Sequence, residues 1–219
     1  MHSSTLVVLK ESEDDSLLTL YEARLGLNMF TTGTDGLNDQ IEMLIEWSSD
    51  EIAFSCNRSF GRETVQETIR EIMLGGSSSS SKRLYLAKFP NIEIESVFEN
   101  GNKLSEGIDF EVEDQGGWLV RLNNKDWVSP VVVIYTGGYN LPKEAPGSLK
   151  QAAILLTRES YYAAARGDAS VKLVVHKESR VGFFDPRAPA GGGGGRGSSP
   201  ARRAIDNLLQ GYTRDLGVM

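Results

Sequence analysis

The residue types that most often do chemistry in proteins are sparse in this 219-residue chain. It contains two histidines, His2 and His176, and a single cysteine, Cys56. The histidines do not lie at the spacing that holds a metal ion, and neither forms a recognisable motif with Cys56 or with a serine. The sequence therefore predicts no cofactor, no metal site and no enzymatic activity, and Cys56 is interpreted as a small buried apolar group.

One glycine-rich stretch matches a nucleotide-binding pattern in form alone. Gly192, Gly194 and Gly197 satisfy G-x-G-x-x-G. Poly-glycine meets this pattern by accident, and the chain after it is too short for a βαβ unit. Carboxylates are frequent, but they alternate with apolar residues along strands or lie in the first turns of helices, where contact with water explains them. The glutamates predicted to form an acidic face turned to solvent are Glu93, Glu95, Glu111 and Glu113.

Charge and hydropathy limit the class of protein. Lys and Arg number 23 against 30 Asp and Glu, and the resulting net charge of −7 disfavours a general affinity for the phosphate backbone. No apolar run approaches the roughly 20 residues of a membrane span, and the first residues lack the features of a secretory signal. A single cysteine fits a reducing cytoplasm. We expect a soluble protein, made in the cytoplasm, that does not clamp DNA.

The sequence gives its clearest local signals for a buried strand and for a buried helix that follows it. Val131 to Ile134 is an unbroken β-branched run, which predicts a central strand covered on both faces. Gly137 and Gly138 end it, and a helix is predicted from about Pro146 to Arg166. Because this helix is apolar most of the way round, another copy of the chain is expected to cover part of it. The side chains predicted for that subunit contact are Ile154, Leu155, Tyr161 and Tyr162.

Residues 1–60 are predicted to form an N-terminal helical part. Ser12 is interpreted as the N-cap of a first helix that ends at Gly26. A second helix is predicted from Asp35 to Asn57, because its apolar positions recur at about 3.6 residues. Residues 63–74 fit either a helix or an exposed strand, and the alternation of their side chains favours a strand.

Residues 61–185 are predicted to place an antiparallel β-meander and the central helix in one core. Side chains alternate with a period of two through residues 84–87, 92–99, 108–113 and 118–122. Asn100-Gly101 predicts a two-residue hairpin turn, because both central positions of a type I′ turn need positive φ. The predicted fold class is α+β, with N-terminal helices, an antiparallel β-meander, a long buried central helix and a C-terminal arm carrying a docking helix.

The end of the chain is predicted to be that arm. Residues 171–175 and 181–184 have the pattern of strands, and 186–199 have the composition of a Pro/Gly-rich flexible linker. A last helix within 200–219 carries a narrow apolar stripe, the pattern by which a helix fills a hydrophobic groove. The alternative is that this helix packs back on its own domain. The predicted docking residues are Ile205, Leu208, Leu209 and Tyr212.

The order of these signals resembles the head–tail connector, or adaptor, proteins of tailed bacteriophages and prophages. The serine run at 77–81 and the poly-glycine segment depart from the family's pattern, which leaves the length and path of the arm open. The stretches that carry the resemblance are the helix from Asp35 to Asn57 with Arg58-Ser59-Phe60-Gly61-Arg62-Glu63-Thr64 after it, residues 84–90 leading into 94–97, residues 131–142 with the helix beyond, and the final helix at 201–214.

The resemblance implies a structural virion protein at the head–tail interface, in the virion neck. It implies a homo-oligomeric ring, a dodecamer, that lies beneath the portal protein, extends the DNA channel and receives a stopper or tail component. DNA would pass through during ejection without sequence-specific binding, and no membrane is involved. The acidic face is expected to line this channel or to face solvent. The chain alone is expected to be a monomer that assembles on the portal. The alternative is another ring-forming neck or tail protein, such as a tail terminator or tube subunit.

Overall fold

The computed structural model describes residues 3–29, 35–71, 82–165, 173–176, 179–182 and 200–213. Helices and antiparallel strands are both present in these ranges, which confirms the α+β class. The chain divides into two compact units. The β unit comprises the described residues of 3–15 and 57–145, and the helical unit those of 16–56 and 146–213.

Helices and strands follow one another along the chain in a mixed order. They are β1 (Ser3–Lys10), α1 (Leu20–Gly26), α2 (Asp35–Cys56), β2 (Glu63–Glu71), β3 (Arg83–Tyr85), β4 (Glu93–Glu99), β5 (Asn102–Leu104), β6 (Phe110–Glu113), β7 (Trp118–Arg121), β8 (Val131–Gly137), α3 (Gly147–Ala165), β9 (Leu173–His176), β10 (Ser179–Gly182) and α4 (Pro200–Leu209).

A five-stranded antiparallel sheet holds the centre of the β unit, in the order β1-β2-β8-β4-β5. Strand β8 lies in the middle, as its β-branched run predicts, with Val131 and Val133 fully buried. The strand prediction for residues 63–71 is confirmed by β2. The β4–β5 hairpin is confirmed as well, since Asn100 and Gly101 have φ of 46° and 82°.

A smaller sheet, in the order β3-β7-β6, packs against the same hydrophobic core. The strands are antiparallel, as predicted, but they do not follow one another as a meander. Strand β8 pairs with β2 and β4. Of the strands that lie between β2 and β8 in sequence, β4 and β5 belong to the larger sheet and β3, β6 and β7 to the smaller one. The core that joins the sheets consists of Val65, Ile69, Leu84, Leu86, Val97, Phe110, Leu119, Trp127, Val131, Val133 and Tyr135.

Strand β1 lies at an edge of the larger sheet and was not predicted. It pairs with β2, but the register shifts between Ser3 and Ser4 and again between Val8 and Lys10. Its apolar side chains remain exposed on both faces, to between 38% for Leu6 and 54% for Leu9. The prediction that residues 1–60 are helical is therefore wrong at their start.

The helical unit is built around the contact between α2 and α3, and α3 also contacts α1 and α4. The bounds of α2 confirm the predicted second helix. Small polar residues let α2 and α3 approach closely: the Thr157 hydroxyl donates to Ser48 Oγ at 3.1 Å, with both residues buried. The central helix α3 thus belongs to the helical unit, whereas the prediction placed it in one core with the strands.

The first helix begins at Leu20 instead of following Ser12. Thr19 is its N-cap in a reciprocal capping box: the Glu22 N–H donates to Thr19 Oγ1 at 3.2 Å, and the Thr19 N–H donates to Glu22 Oε2 at 2.9 Å. Ser12 instead donates its hydroxyl to the carbonyl of Asp14. The sequence contains the capping-box pattern T-x-x-E at this position, and this pattern indicates the start of the helix better than Ser12 does.

Strands β9 and β10 form a separate antiparallel pair. The predicted linker at 186–199 lies outside the described residues.

The end of β8 requires glycine. Gly138 has φ of 112°, and a Cβ there would overlap the backbone carbonyl of Gly61. We expect Gly138→Ala to lower the free energy of unfolding by about 1–3 kcal/mol, because the strained backbone and the overlap both act on the folded state. Urea unfolding measures the change. The control is Gly101→Asn, at φ of 82° with open space around it, which should lower the free energy of unfolding less, because only backbone strain acts there and asparagine tolerates positive φ better than alanine. Equal losses in the two variants would contradict this account.

Candidate interaction surfaces

Metal-binding side chains are not clustered in the part of the chain that the structure describes. Among the described residues, no group of three or more His, Cys, Asp or Glu side chains is placed to hold a metal ion. Cys56 is fully buried at the end of α2, as predicted. A search of the same residues finds no helix long and apolar enough to span a bilayer. The surfaces of the two units are therefore where functional contacts should be sought.

A polar cleft of about 230 Å³ opens on the β unit. Its charged lining is mixed, and Arg62 pairs with Glu93 at 2.6 Å. Its hydroxyls belong to Ser12, Thr64 and Thr136. The Thr64 and Thr136 hydroxyls hydrogen-bond each other at 2.8 Å. The Ser12 hydroxyl hydrogen-bonds the Asp15 carboxyl, whose pKa burial raises above its ordinary value. The cleft is a polar surface feature of the β unit.

A buried polar cluster inside the β unit is structural. Glu67 is 1% exposed, and its Oε2 accepts from the Tyr135 hydroxyl at 2.8 Å and from the Ala87 N–H at 2.9 Å. The Lys88 N–H donates to the Tyr135 hydroxyl at 3.0 Å, and Lys88 Nζ pairs with Glu63 at 2.6 Å. Burial, together with the neighbouring Glu67 carboxylate, raises the pKa of Tyr135 well above its ordinary value. Because each of these polar atoms has a partner, the cluster fixes the sheet and leaves no group free to react.

The four glutamates predicted as one acidic face lie on two sheets. Glu93 and Glu95 belong to β4 of the five-stranded sheet, whereas Glu111 and Glu113 belong to β6 of the three-stranded sheet. All four are exposed, but Glu93 is paired with Arg62. The prediction assumed that these strands were neighbours in a meander, whereas they belong to different sheets. Next to Glu93 and Glu113, the two sheets are joined by the hydrogen bond that the Ile92 N–H donates to Asp114 Oδ1 at 2.6 Å. That the four glutamates form one channel or solvent face stays a prediction.

The predicted subunit-contact residues of α3 are engaged within the chain. A Cβ at Gly26 would overlap Ile154, so α1 and α3 meet closely there. The Tyr162 hydroxyl donates to the carbonyl of Leu27 at 3.3 Å, and the Tyr161 ring meets the Tyr162 ring edge-on at 5.5 Å. Helices α1, α2 and α4 contact α3 within one chain and cover part of its apolar surface, while Tyr162 remains 40% exposed. Contact of these residues, or of the half-buried Leu155, with another copy stays a prediction.

The predicted docking helix is seated in the helical unit. Ile205 and Leu209 of α4 are 3% and 5% exposed, and α4 contacts α3. Leu208 is half-buried, and the Tyr212 hydroxyl lies 2.7 Å from Ser148 Oγ. Arg202 is 3.3 Å from Glu51 and 3.5 Å from Glu159. The apolar stripe is thus covered inside the chain, the alternative that the sequence left open, and docking on a portal stays a prediction.

Sequence reasoning missed an exposed apolar surface on α2. Met43, Trp47 and Phe54 are 60%, 41% and 85% exposed. The stripe at period 3.6 that predicted the helix is the side that faces the core, and these residues lie on the other side. A helical projection of α2 would have revealed a second apolar group there.

Comparisons with known proteins give matches at the level of structure. No family model matches the chain, and no curated protein matches it. A chain from the neck of an empty gene transfer agent (GTA) particle, computed with C6 symmetry, matches with a TM-score of 0.57 and 14% identity over 98% of both chains. A chain from the virion of a native GTA particle matches at 0.56 and 13%, again over 98% of both chains. The neck of a native GTA particle computed with C12 symmetry contains a match at 0.52 and 13%, with the same coverage. The TM-scores show a shared fold, and at these identities they show the fold alone.

The seating of α4 predicts how the isolated chain responds to a charge. Leu209→Asp places an unpaired carboxylate in a buried position and should lower the free energy of unfolding by about 3 kcal/mol. Leu208→Asp, at a half-buried position, should lower the free energy of unfolding by a smaller amount. Ala204→Asp, at an exposed position of the same helix, is the control. Urea unfolding compares the three. If Leu209→Asp were as stable as the wild type, the packing of α4 on α3 would not stabilise the chain, and this result would support the predicted C-terminal arm.

Glu22 makes the stability of the helical unit depend on pH. Burial alone would raise its pKa, but hydrogen bonds from Lys150 and Thr19 outweigh this and lower the pKa below the ordinary 4.5. A carboxylate whose pKa is lower in the folded state stabilises it above the unfolded pKa, and this contribution is lost as the pH falls through the folded pKa. Glu22→Gln should therefore lower the free energy of unfolding by about 1 kcal/mol or less at neutral pH and should not change it in strong acid.

Urea unfolding of Glu22→Gln at neutral pH and in acid measures this difference. Lys150→Met is the matched variant, because it removes the partner 2.6 Å from Glu22 Oε1 and should not add to the loss in the double variant. A loss that persists unchanged in acid would contradict the role of the charge.

Proposed function

We propose that this chain is a structural subunit of the neck of a phage-like particle, a head–tail adaptor that forms a ring beneath the portal. The observation that carries the proposal is the match of the entire chain to GTA neck structures, over 98% of both partners. The sequence resemblance to connector proteins points to the same place in a particle and uses different information, namely the order of local signals. The absence of a metal cluster among the described residues is compatible with a structural role.

A ring of twelve copies fits the symmetry of the matched assemblies. The neck structures were computed with C6 and with C12 symmetry, and a twelvefold rotation contains the sixfold one. In the proposed ring the subunits receive a stopper or tail component on the side away from the portal. Helix α4 and the residue Tyr212 after it lie at the proposed contact with the portal or with a neighbouring subunit.

The charge of the chain suits the passage of DNA. A net charge of −7 gives the phosphate backbone no general attraction, so DNA would slide through the ring without being held. Of the exposed glutamates, Glu111 and Glu113 on β6 and Glu95 on β4 are proposed to contribute to a channel or solvent face.

Cryo-electron microscopy of particles that contain the protein tests the proposal directly. Density that fits both units in a ring immediately below the portal is the expected result. Density at the distal end of the neck or along the tail would replace the adaptor with a tail terminator or tube subunit. Absence of the chain from purified particles would overturn a virion role altogether.

We predict that the purified chain is monomeric or weakly associated in dilute solution and forms a ring on the portal. Its core is complete within one chain, so association has to come from surface contacts that a platform brings together. Analytical ultracentrifugation of the chain alone, followed by negative-stain images with purified portal, measures both states. A stable ring in dilute solution without portal would contradict this prediction.

A further inference from the structure

Helix α2 has two apolar faces on opposite sides. Its buried face contains Ile41, Ile45 and Ile52, all at most 3% exposed. At about 100° per residue, Met43, Trp47 and Phe54 fall within about 40° of one another and roughly opposite that buried face. These three side chains form what we call the outer face of α2. It is a property of the folded helix, because the residues are separated in sequence and are brought into line by its turns.

The outer face of α2 has the composition of a contact surface. Phe54 is 85% exposed and Met43 60% exposed, although burial of each would be favourable by about 1.5–3 kcal/mol. Aromatic residues and methionine are enriched at protein interfaces, and tryptophan is the commonest residue at their energetic centres. The three side chains extend over about 16 Å along the helix, which matches the footprint of another short helix.

The charges around the outer face of α2 restrict its partner. Asp39, Glu46 and Asp50 are exposed and lie beside it on the helical projection. Two copies that met through this same face would bring carboxylates against carboxylates, which costs free energy. A nucleic acid is excluded by the same argument. All charged side chains of α2 are acidic: Asp35, Asp39, Glu42, Glu46, Asp50 and Glu51.

A surface of complementary character exists on α1 of the same chain. Tyr21 and Leu25 are one turn apart and are 75% and 50% exposed, on the side of α1 away from the buried Ala23. Arg24, a basic residue in the last turn, lies between them in sequence. We call Tyr21, Arg24 and Leu25 the outer face of α1. It offers apolar area and one positive charge to an apolar surface bordered by carboxylates.

We propose that the outer face of α2 in one copy binds the outer face of α1 in the next copy of the chain. The contact joins two different surfaces, so it is head-to-tail, and repetition of a head-to-tail contact generates a ring when the rotation closes. The inference rests on the proposed function, since it assigns the subunit contact of the ring. It moves that contact from α3, where the sequence placed it, to two surfaces that are exposed in the part of the chain that the structure describes.

Cysteine cross-linking at high protein concentration tests this pairing. Trp47→Cys and Tyr21→Cys proteins, incubated together with a flexible bismaleimide, should give a covalent dimer, and neither should do so alone. A chain carrying both substitutions should give a ladder of oligomers. The wild type should give none, because Cys56 is fully buried.

A second pair of variants tests the energetic importance of the surface. Phe54→Ser and Trp47→Ser should each weaken ring formation on the portal by about tenfold or more, and Phe54→Ser, at the most exposed of the three positions, should leave urea unfolding of the monomer unchanged. Ile108→Ser is the matched control, because Ile108 is a large apolar residue of the β unit that is 67% exposed. Asp50→Arg should weaken the ring as well, through repulsion from Arg24.

The outcomes separate this inference from the proposed function. Rings that form normally with Phe54→Ser and Trp47→Ser, cross-links from Trp47→Cys alone, or cross-links from Trp47→Cys to the portal would overturn the pairing and leave the adaptor role intact. Absence of any ring and of any cross-link, with or without portal, would overturn both. Heterotypic cross-links without a ring would support the pairing and count against the adaptor.

Discussion

A single buried carboxylate connects the parts of the β unit. Glu67 on β2 accepts a hydrogen bond from the Tyr135 hydroxyl on the neighbouring strand β8. The same oxygen accepts a hydrogen bond from the N–H of Ala87, which follows β3 of the other sheet. Both sheets therefore meet at one oxygen atom. A carboxylate that is 1% exposed is tolerable only with all its partners in place, so the hydrogen bonds fix the position of the two sheets more narrowly than apolar packing would.

The local parts of this fold could be predicted from the sequence because local physics determines them. A β-branched run forms β8, positive φ at Asn100 and Gly101 makes a hairpin, and a period of 3.6 makes α2. The arrangement of strands could not be predicted, since β8 pairs with β2 across more than sixty residues and the intervening strands divide between two sheets. Such pairing depends on distant partners that no local pattern records.

An apolar face in the sequence does not by itself identify what covers it. Helix α3 packs on α1, α2 and α4 within the chain, and Ile205 and Leu209 of the stripe on α4 are buried in the helical unit. Sequence periodicity indicates that a face is buried, but it does not identify the element that covers this face. Conversely, Phe54 looks like one more apolar residue of α2 until its 85% exposure is known. Only the folded chain separates residues that complete the core from residues that remain available for contact.

The irregular pairing of β1 has a consequence for the free chain before any assembly. An edge strand with exposed Leu6, Val7, Val8 and Leu9 is a template on which identical chains stack into fibrils. The register shifts at both ends of β1 interrupt its ladder with β2, and such bulges twist the open edge so that a second edge cannot align along its length. The shifts therefore limit the length of regular edge that β1 offers to another chain to the residues between them.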